Sequence, residues 1–197
     1  MKMPIGPGLV LLAAMGASPS SAAIVIDQNA PTNNAYISTL RLPGRAQSFT
    51  PAASNSAGAG IFLKEGVGSG SSDITISLWT ALPNASGTQL AAATVSVSGP
   101  GVWADVFWSP VAVTVGATYY LDFASTNGDL GIAGDEFNGY AGGNVFAAVG
   151  YLAFPDFDYT FRTYTDDQYV AAVPEPASLA LFGLGLIGLG ALRRRAD

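Results

Sequence analysis

The chain has 197 residues, with no histidine, no cysteine, 8 cationic and 14 acidic residues, and a formal charge of −6. The two missing residue types exclude a Ser-His-Asp triad, a Cys-His dyad, histidine- or thiolate-ligated zinc and a disulfide framework. The negative balance disfavours nucleic acid and anionic lipid as partners; it suits solubility outside the cell, cation binding or neutral polymers.

Residues 1–23 read as a secretory signal peptide. Lys2 is the only charge before Asp27, residues 9–15 are apolar, and Ser21-Ala22-Ala23 offers the small side chains that a signal peptidase reads. Cleavage is expected after Ala23 or one residue earlier. The alternative, a retained first membrane helix, is disfavoured by Pro4, Pro7 and the short apolar core.

From residue 24 to 165 the pattern has period two. In the segment 73–80, Ile74, Ile76 and Leu78 share one face while Thr75, Ser77 and Trp79 share the other, as in a half-buried strand. Further strands are predicted at 45–50, 59–64, 90–97, 102–108, 111–115, 117–124 and 157–164, with a tight turn at Gly116. Between them, clusters of Gly, Pro, Ser and Asn at 66–72, 83–88 and 98–101 supply turns. No amphipathic helix interrupts the series before residue 177 and no internal repeat appears. The expectation is therefore an all-β domain, an antiparallel β-sandwich of jelly-roll type, followed by a single C-terminal transmembrane helix.

Over residues 24–173, the cations Arg41, Arg45, Lys64 and Arg162 face twelve acids, a balance of −8. Residues 166–173 form a linker. Beyond it stand Pro174-Glu175-Pro176, an uncharged run over 177–192 and then Arg193, Arg194 and Arg195. The sixteen uncharged residues of that run would span about 24 Å as a helix, a little short of a ~30 Å hydrocarbon core. The prolines favour extended, accessible backbone before it, and the arginine cluster orients the segment with its C-terminus inside. A plain anchor that is never processed is the alternative.

These residues resemble the PEP-CTERM sorting signal carried by exported proteins of Gram-negative bacteria that make exopolysaccharide. The resemblance covers residues 174–197. It implies that Pro174, Glu175 and Pro176 are recognised by an exosortase, a membrane protease-transpeptidase. The same segment is also known as an ice-binding protein C-terminal domain, a label that implies no ice binding. The implied route is export through the inner membrane with signal peptidase and exosortase as partners, C-terminal anchoring there before processing, and then the cell surface or extracellular matrix. In the middle domain, residues 108–123 resemble segments of exported sandwich domains, carbohydrate-binding modules among them. Tyr140 to Asn144 followed by 158–164 resembles the end of β-sandwich domains of unknown function common in PEP-CTERM proteins.

Candidate chemistry in the domain is sparse. Trp79 and Trp103 each fall opposite the aliphatic residues of their strands, where exposed rings can stack on a sugar; burial is the alternative. Asp129, Asp135, Glu136 and Asn138 lie in a glycine-rich stretch that can offer oxygen ligands to one hard cation, calcium being the candidate, with an ordinary acidic loop as the alternative. Asp156 and Asp158 are possible additions, with Asp158 more simply facing solvent. Phe157, Tyr159 and Phe161 form a core stripe. Gly183-Leu184-Gly185-Leu186-Ile187-Gly188 satisfies a nucleotide-binding pattern but lacks the preceding strand that such a site needs. The function expected is a non-enzymatic envelope or matrix protein that binds exopolysaccharide, with or without calcium. Its alternatives are a structural or self-associating surface protein and a carboxylate-pair glycosidase.

Overall fold

Alternation dictates the architecture. Strands with one apolar face must bury it, and two such sheets bury each other. The computed structural model describes residues 23–66, 70–126 and 129–170. In chain order the strands are β1 (Ile24–Ala30), β2 (Ala35–Thr39), β3 (Arg45–Phe49), β4 (Asn55–Lys64), β5 (Ser71–Trp79), β6 (Gln89–Ser98) and β7 (Trp103–Ala112). They continue with β8 (Tyr119–Ser125), β9 (Gly131–Asp135), β10 (Val145–Ala147), β11 (Leu152–Phe154), β12 (Asp158–Tyr159) and β13 (Phe161–Asp166).

Two antiparallel sheets result, and the domain is a β-sandwich. One has six strands in the order β11-β10-β3-β8-β5-β6. The other has seven: β7, β4, β13 and β1 lie side by side, and the far end of β4 pairs with β9, which in turn pairs with β2 and β12. Between the layers lie Ile61 and Leu63 of β4, Ile74, Ile76 and Leu78 of β5, Leu121 and Phe123 of β8, Ile132 of β9, and Tyr159 and Phe161. Each such aliphatic side chain contributes about 1.5–3 kcal/mol by leaving water. The predicted core stripe 157, 159, 161 is present, Phe157 being only partly buried.

Several boundaries differ from expectation for identifiable reasons. Segments 102–108 and 111–115 are not two strands: β7 continues through Pro110, which falls where its register with β4 shifts between Phe107 and Val111. It pairs only with β4, and an edge strand has a side on which proline's missing N–H is not needed. The turn at Gly116 exists, with φ +77°, but it carries the chain from β7 in one sheet to β8 in the other instead of closing a hairpin. The predicted strand 157–164 is divided at Thr160, whose N–H donates to Ala133 O while its own carbonyl accepts from Phe62 N. There the chain changes neighbour from β9 to β4. Strands β1, β2, β9, β10 and β11 had no clear alternation; their pairing partners specify them. The predicted segments 1–22 and 171–197, the transmembrane helix 177–192 among them, lie outside the described residues. Among the described residues no helix is long and apolar enough to cross a membrane.

Candidate functional site

Register and alternation place a row of rings on the outward face of the six-stranded sheet. Trp79 of β5 is the cross-strand partner of Tyr120 of β8, and Tyr120 is the partner of Ser48 of β3. Phe146 of β10 sits opposite Ala46 of β3 and meets Tyr120 edge-on, with centroids 5.6 Å apart. Trp79 therefore faces outward as alternation predicts, half-buried, its indole N–H donating to Ser77 Oγ at 2.8 Å.

Beside this row runs an open trough of about 430 Å³, lined by Ser48, Thr118, Tyr120, Asn138, Asn144 and Phe146 with a glycine-rich wall at 141–143. That wall is locked to β3. Ser48 N donates to Asn144 O at 2.9 Å, Asn144 N donates to Ser48 Oγ at 2.8 Å, and Thr50 Oγ1 donates to Gly142 O at 3.1 Å. Gly143 is required by space, because a Cβ there would collide with the Ser48 carbonyl oxygen.

Next to the row, the β10–β11 turn folds over the same face. Ala148 and Tyr151 both adopt left-handed backbone, with φ of 67° and 55°, conformations that non-glycine residues hold only when surrounding contacts enforce them. Two bonds do so: Asn84 Nδ2 donates to Gly150 O at 2.9 Å, and the Tyr151 hydroxyl donates to Asp122 Oδ1 at 2.7 Å. Burial pushes the Asp122 carboxyl above its usual range, opposed by the Tyr151 bond, and burial together with Asp122 pushes the Tyr151 phenol up. Flat ring faces next to neutral amides and hydroxyls can hold a ligand that presents both C–H surfaces and hydroxyls.

Trp103 is on the other sheet and does not join this row. It faces outward, as alternation predicts, but its ring is covered: the Arg162 guanidinium stacks 4.0 Å from its centroid and Phe62 meets it edge-on at 5.5 Å. The cause is Gly60 on the central strand β4, flanked in register by Arg162 of β13 and Asp105 of β7. Without a side chain between them, Arg162 reaches Asp105 in a two-pronged ion pair, Nε donating to Oδ1 at 2.8 Å and Nη2 to Oδ2. Tyr164 and Phe107 likewise meet across Gly58, with centroids 4.9 Å apart. Of the two rings expected to offer a sugar platform, Trp79 and Trp103, the second is thus engaged by Arg162 and Phe62 and stands on a different sheet from the first.

The cation site expected from Asp129, Asp135, Glu136 and Asn138 is not assembled. The glycine-rich stretch holds β9, so Asp129 lies before the strand and Asp135 at its far end, the strand alone spanning roughly 13 Å at ~3.3 Å per residue. Asp129 is engaged by Arg41 at 2.6 Å, Asp135 accepts from Asn34 Nδ2 at 3.3 Å and Phe137 N at 3.0 Å, and Glu136 is exposed. Asn138, with φ 50°, belongs to the trough. No group of three acidic side chains is gathered among the described residues.

Asp158, expected to face solvent, has 0% exposure. It accepts from Gln47 Nε2 at 3.1 Å and Tyr140 N at 2.8 Å, opposite Asp135 in register. Burial raises its pKa, the two hydrogen bonds oppose this, and Asp135 adds to the rise. Asp135 and Asp158 thus serve protein donors.

At the chain's entry, Ala23 N donates to Asp167 Oδ1 at 3.1 Å and Asp167 N donates to Ala23 O at 3.1 Å. The start of β1 is thus tied to the exit of β13, from which the tail departs. The tail's own residues, Pro174, Glu175, Pro176, Arg193, Arg194 and Arg195, lie outside the described residues. Their pattern matches a known model: residues 172–195 fit the PEP-CTERM protein-sorting motif. The chain carries an exosortase sorting signal. This motif supports an exported protein with exosortase as its processing partner. No curated protein and no solved structure matches the chain.

Tyr120, Phe146, Asn144 and Asp122 carry no individual signal as binding residues in the sequence analysis. A signal of orientation existed only for the first: in Tyr119-Tyr120 one of two adjacent rings must point outward. Phe146 sits on a strand of three residues, too short to show a period.

Proposed function

We propose that this exported protein is non-enzymatic and acts at the cell surface or in the extracellular matrix by holding exopolysaccharide on the outward face of its six-stranded sheet. The observation that carries this reading is the row Trp79, Tyr120 and Phe146 running beside the amide- and hydroxyl-lined trough. Two further features support it. No acid lines the trough, and Asp158 and Asp129 are engaged by protein donors. The tail routes the protein to the compartment in which such polymers occur, with signal peptidase and the inner membrane as earlier stations.

Calcium is not needed on this reading. Calorimetry of the mature protein with the host's exopolysaccharide is expected to give the same binding heat with calcium and with a chelator; absence of heat in both would refute the reading.

Self-association is a second reading with its own observation. On the outward face of the seven-stranded sheet Phe107 is 53% exposed, and across Tyr164 from it Ile26 and Ile24 are 49% and 44% exposed. They continue a surface whose charges, Arg162 and Asp105, neutralise one another, and they end at the free edge of β1.

A further inference from the structure

We infer that the outward face of the six-stranded sheet takes an uncharged glycan, bound without a bridging cation. The inference rests on the polysaccharide reading above and narrows its ligand. Every polar side chain that lines the trough is a hydroxyl or an amide: Ser48, Thr118, Tyr120, Asn138 and Asn144. Hydroxyls and amides both donate and accept, and so match sugar hydroxyls, which do the same. A polyanion such as a uronic acid or sulfated polymer would need fixed positive charge, best supplied by arginine forks.

None of the four cations between residues 24 and 173 lines the trough. Arg41 is paired with Asp129 at 2.6 Å. Arg45 is 4% exposed and donates to the backbone carbonyls of Thr39 at 3.2 Å and Pro43 at 3.4 Å. Arg162 is held by Asp105 under the Trp103 ring on the opposite sheet. Lys64 Nζ donates to Asn33 O at 2.7 Å, at the end of β4 in that same sheet.

The span 24–173 carries a balance of −8, so its long-range field repels an anionic polymer as well. The other route to an acidic glycan, a divalent cation bridging carboxylates, lacks gathered acids among the described residues. A carboxylate on this face, Asp122, accepts from the Tyr151 hydroxyl. What the face does offer is ring area for C–H surfaces and neutral polar groups for hydroxyls, the requirements of an uncharged hexose polymer.

The test is affinity electrophoresis and calorimetry of the mature protein against dextran, laminarin and galactomannan on one side and alginate, polygalacturonate and heparin on the other. Each is run at low and high salt and with chelator. The expected result is binding to one or more of the neutral polymers, indifferent to salt and chelator, and none to the acidic ones. Tyr120→Ala is expected to weaken binding by roughly tenfold or more. Asn138→Asp, which keeps the shape and adds a charge, is expected to weaken it as well, while Phe107→Ser on the opposite sheet leaves it unchanged. Thermal unfolding of each variant checks that the fold is intact. Binding confined to acidic polymers, or abolished by salt or chelator, overturns this inference and leaves the polysaccharide reading standing. Full affinity in both Tyr120→Ala and Asn138→Asp overturns the location. No binding to these polymers or to the host's exopolysaccharide overturns the reading beneath it too.

Discussion

Replacing Gln47 by leucine tests the account of the buried centre most severely. Gln47 has 0% exposure and ties β3 to β12: Nε2 donates to Asp158 Oδ1 at 3.1 Å and to Ser48 O at 3.1 Å, and Oε1 accepts from Tyr159 N at 2.9 Å. Leucine nearly matches its volume, so the cost is polar and not a cavity. The Tyr159 N–H loses its acceptor, and the Asp158 carboxylate keeps only its bond from Tyr140 N at 2.8 Å. An orphaned buried group costs about 1–3 kcal/mol, and an uncompensated buried charge about 3–5 kcal/mol. A loss of about 4 kcal/mol is expected, which for a domain of this size lowers the midpoint of thermal unfolding by roughly 10 °C.

The pH dependence has a definite sign. Burial holds the folded Asp158 pKa above its ordinary 3.8, and the Gln47 bond opposes that rise. The folded state therefore binds a proton at higher pH than the unfolded chain. Protonation of Asp158 adds stability as pH falls from the folded pKa towards 3.8. Removing Gln47 lifts the folded pKa further, so the variant gains more on acidification and its deficit against the wild type shrinks. Circular-dichroism melts of both proteins at neutral pH and near pH 4 read this directly. A variant as stable as the wild type, or a deficit that grows at acid pH, would refute the reasoning.

Two other outcomes follow from the outward faces. Gly143→Ala forces a Cβ onto the Ser48 carbonyl, so the 141–144 wall must shift; a destabilisation of about 1–3 kcal/mol in thermal melts should accompany weaker glycan binding. If the seven-stranded sheet's outer face is a self-association surface, sedimentation of the mature protein gives a concentration-dependent dimer that Phe107→Ser with Ile26→Ser converts to monomer. A wild-type protein that stays monomeric counts against that second reading.

The residues of the chain determined by themselves what depends on neighbours in sequence. Alternation over two residues specified the all-β class and the inward triad Ile74, Ile76 and Leu78, and placed Trp79 and Trp103 on outward faces. The spacing of Pro174-Glu175-Pro176, the apolar run and the arginines identified the sorting motif. The absence of histidine and cysteine removed whole classes of chemistry. The remaining features depend on pairing between distant strands, and local pattern carries no information about register. Asp158 has the same local context whether it meets water or Gln47 from β3, 111 positions away. Trp103 is available or covered according to what stands across Gly60, and the acids around β9 converge or separate according to whether that glycine-rich stretch turns or extends. Tyr120 and Phe146 become neighbours only because β3 lies between β8 and β10. Sequence determined which faces could be outward, and tertiary pairing decided which side chains meet there, because hydrogen-bonded register and burial arise from contacts between residues far apart in the chain.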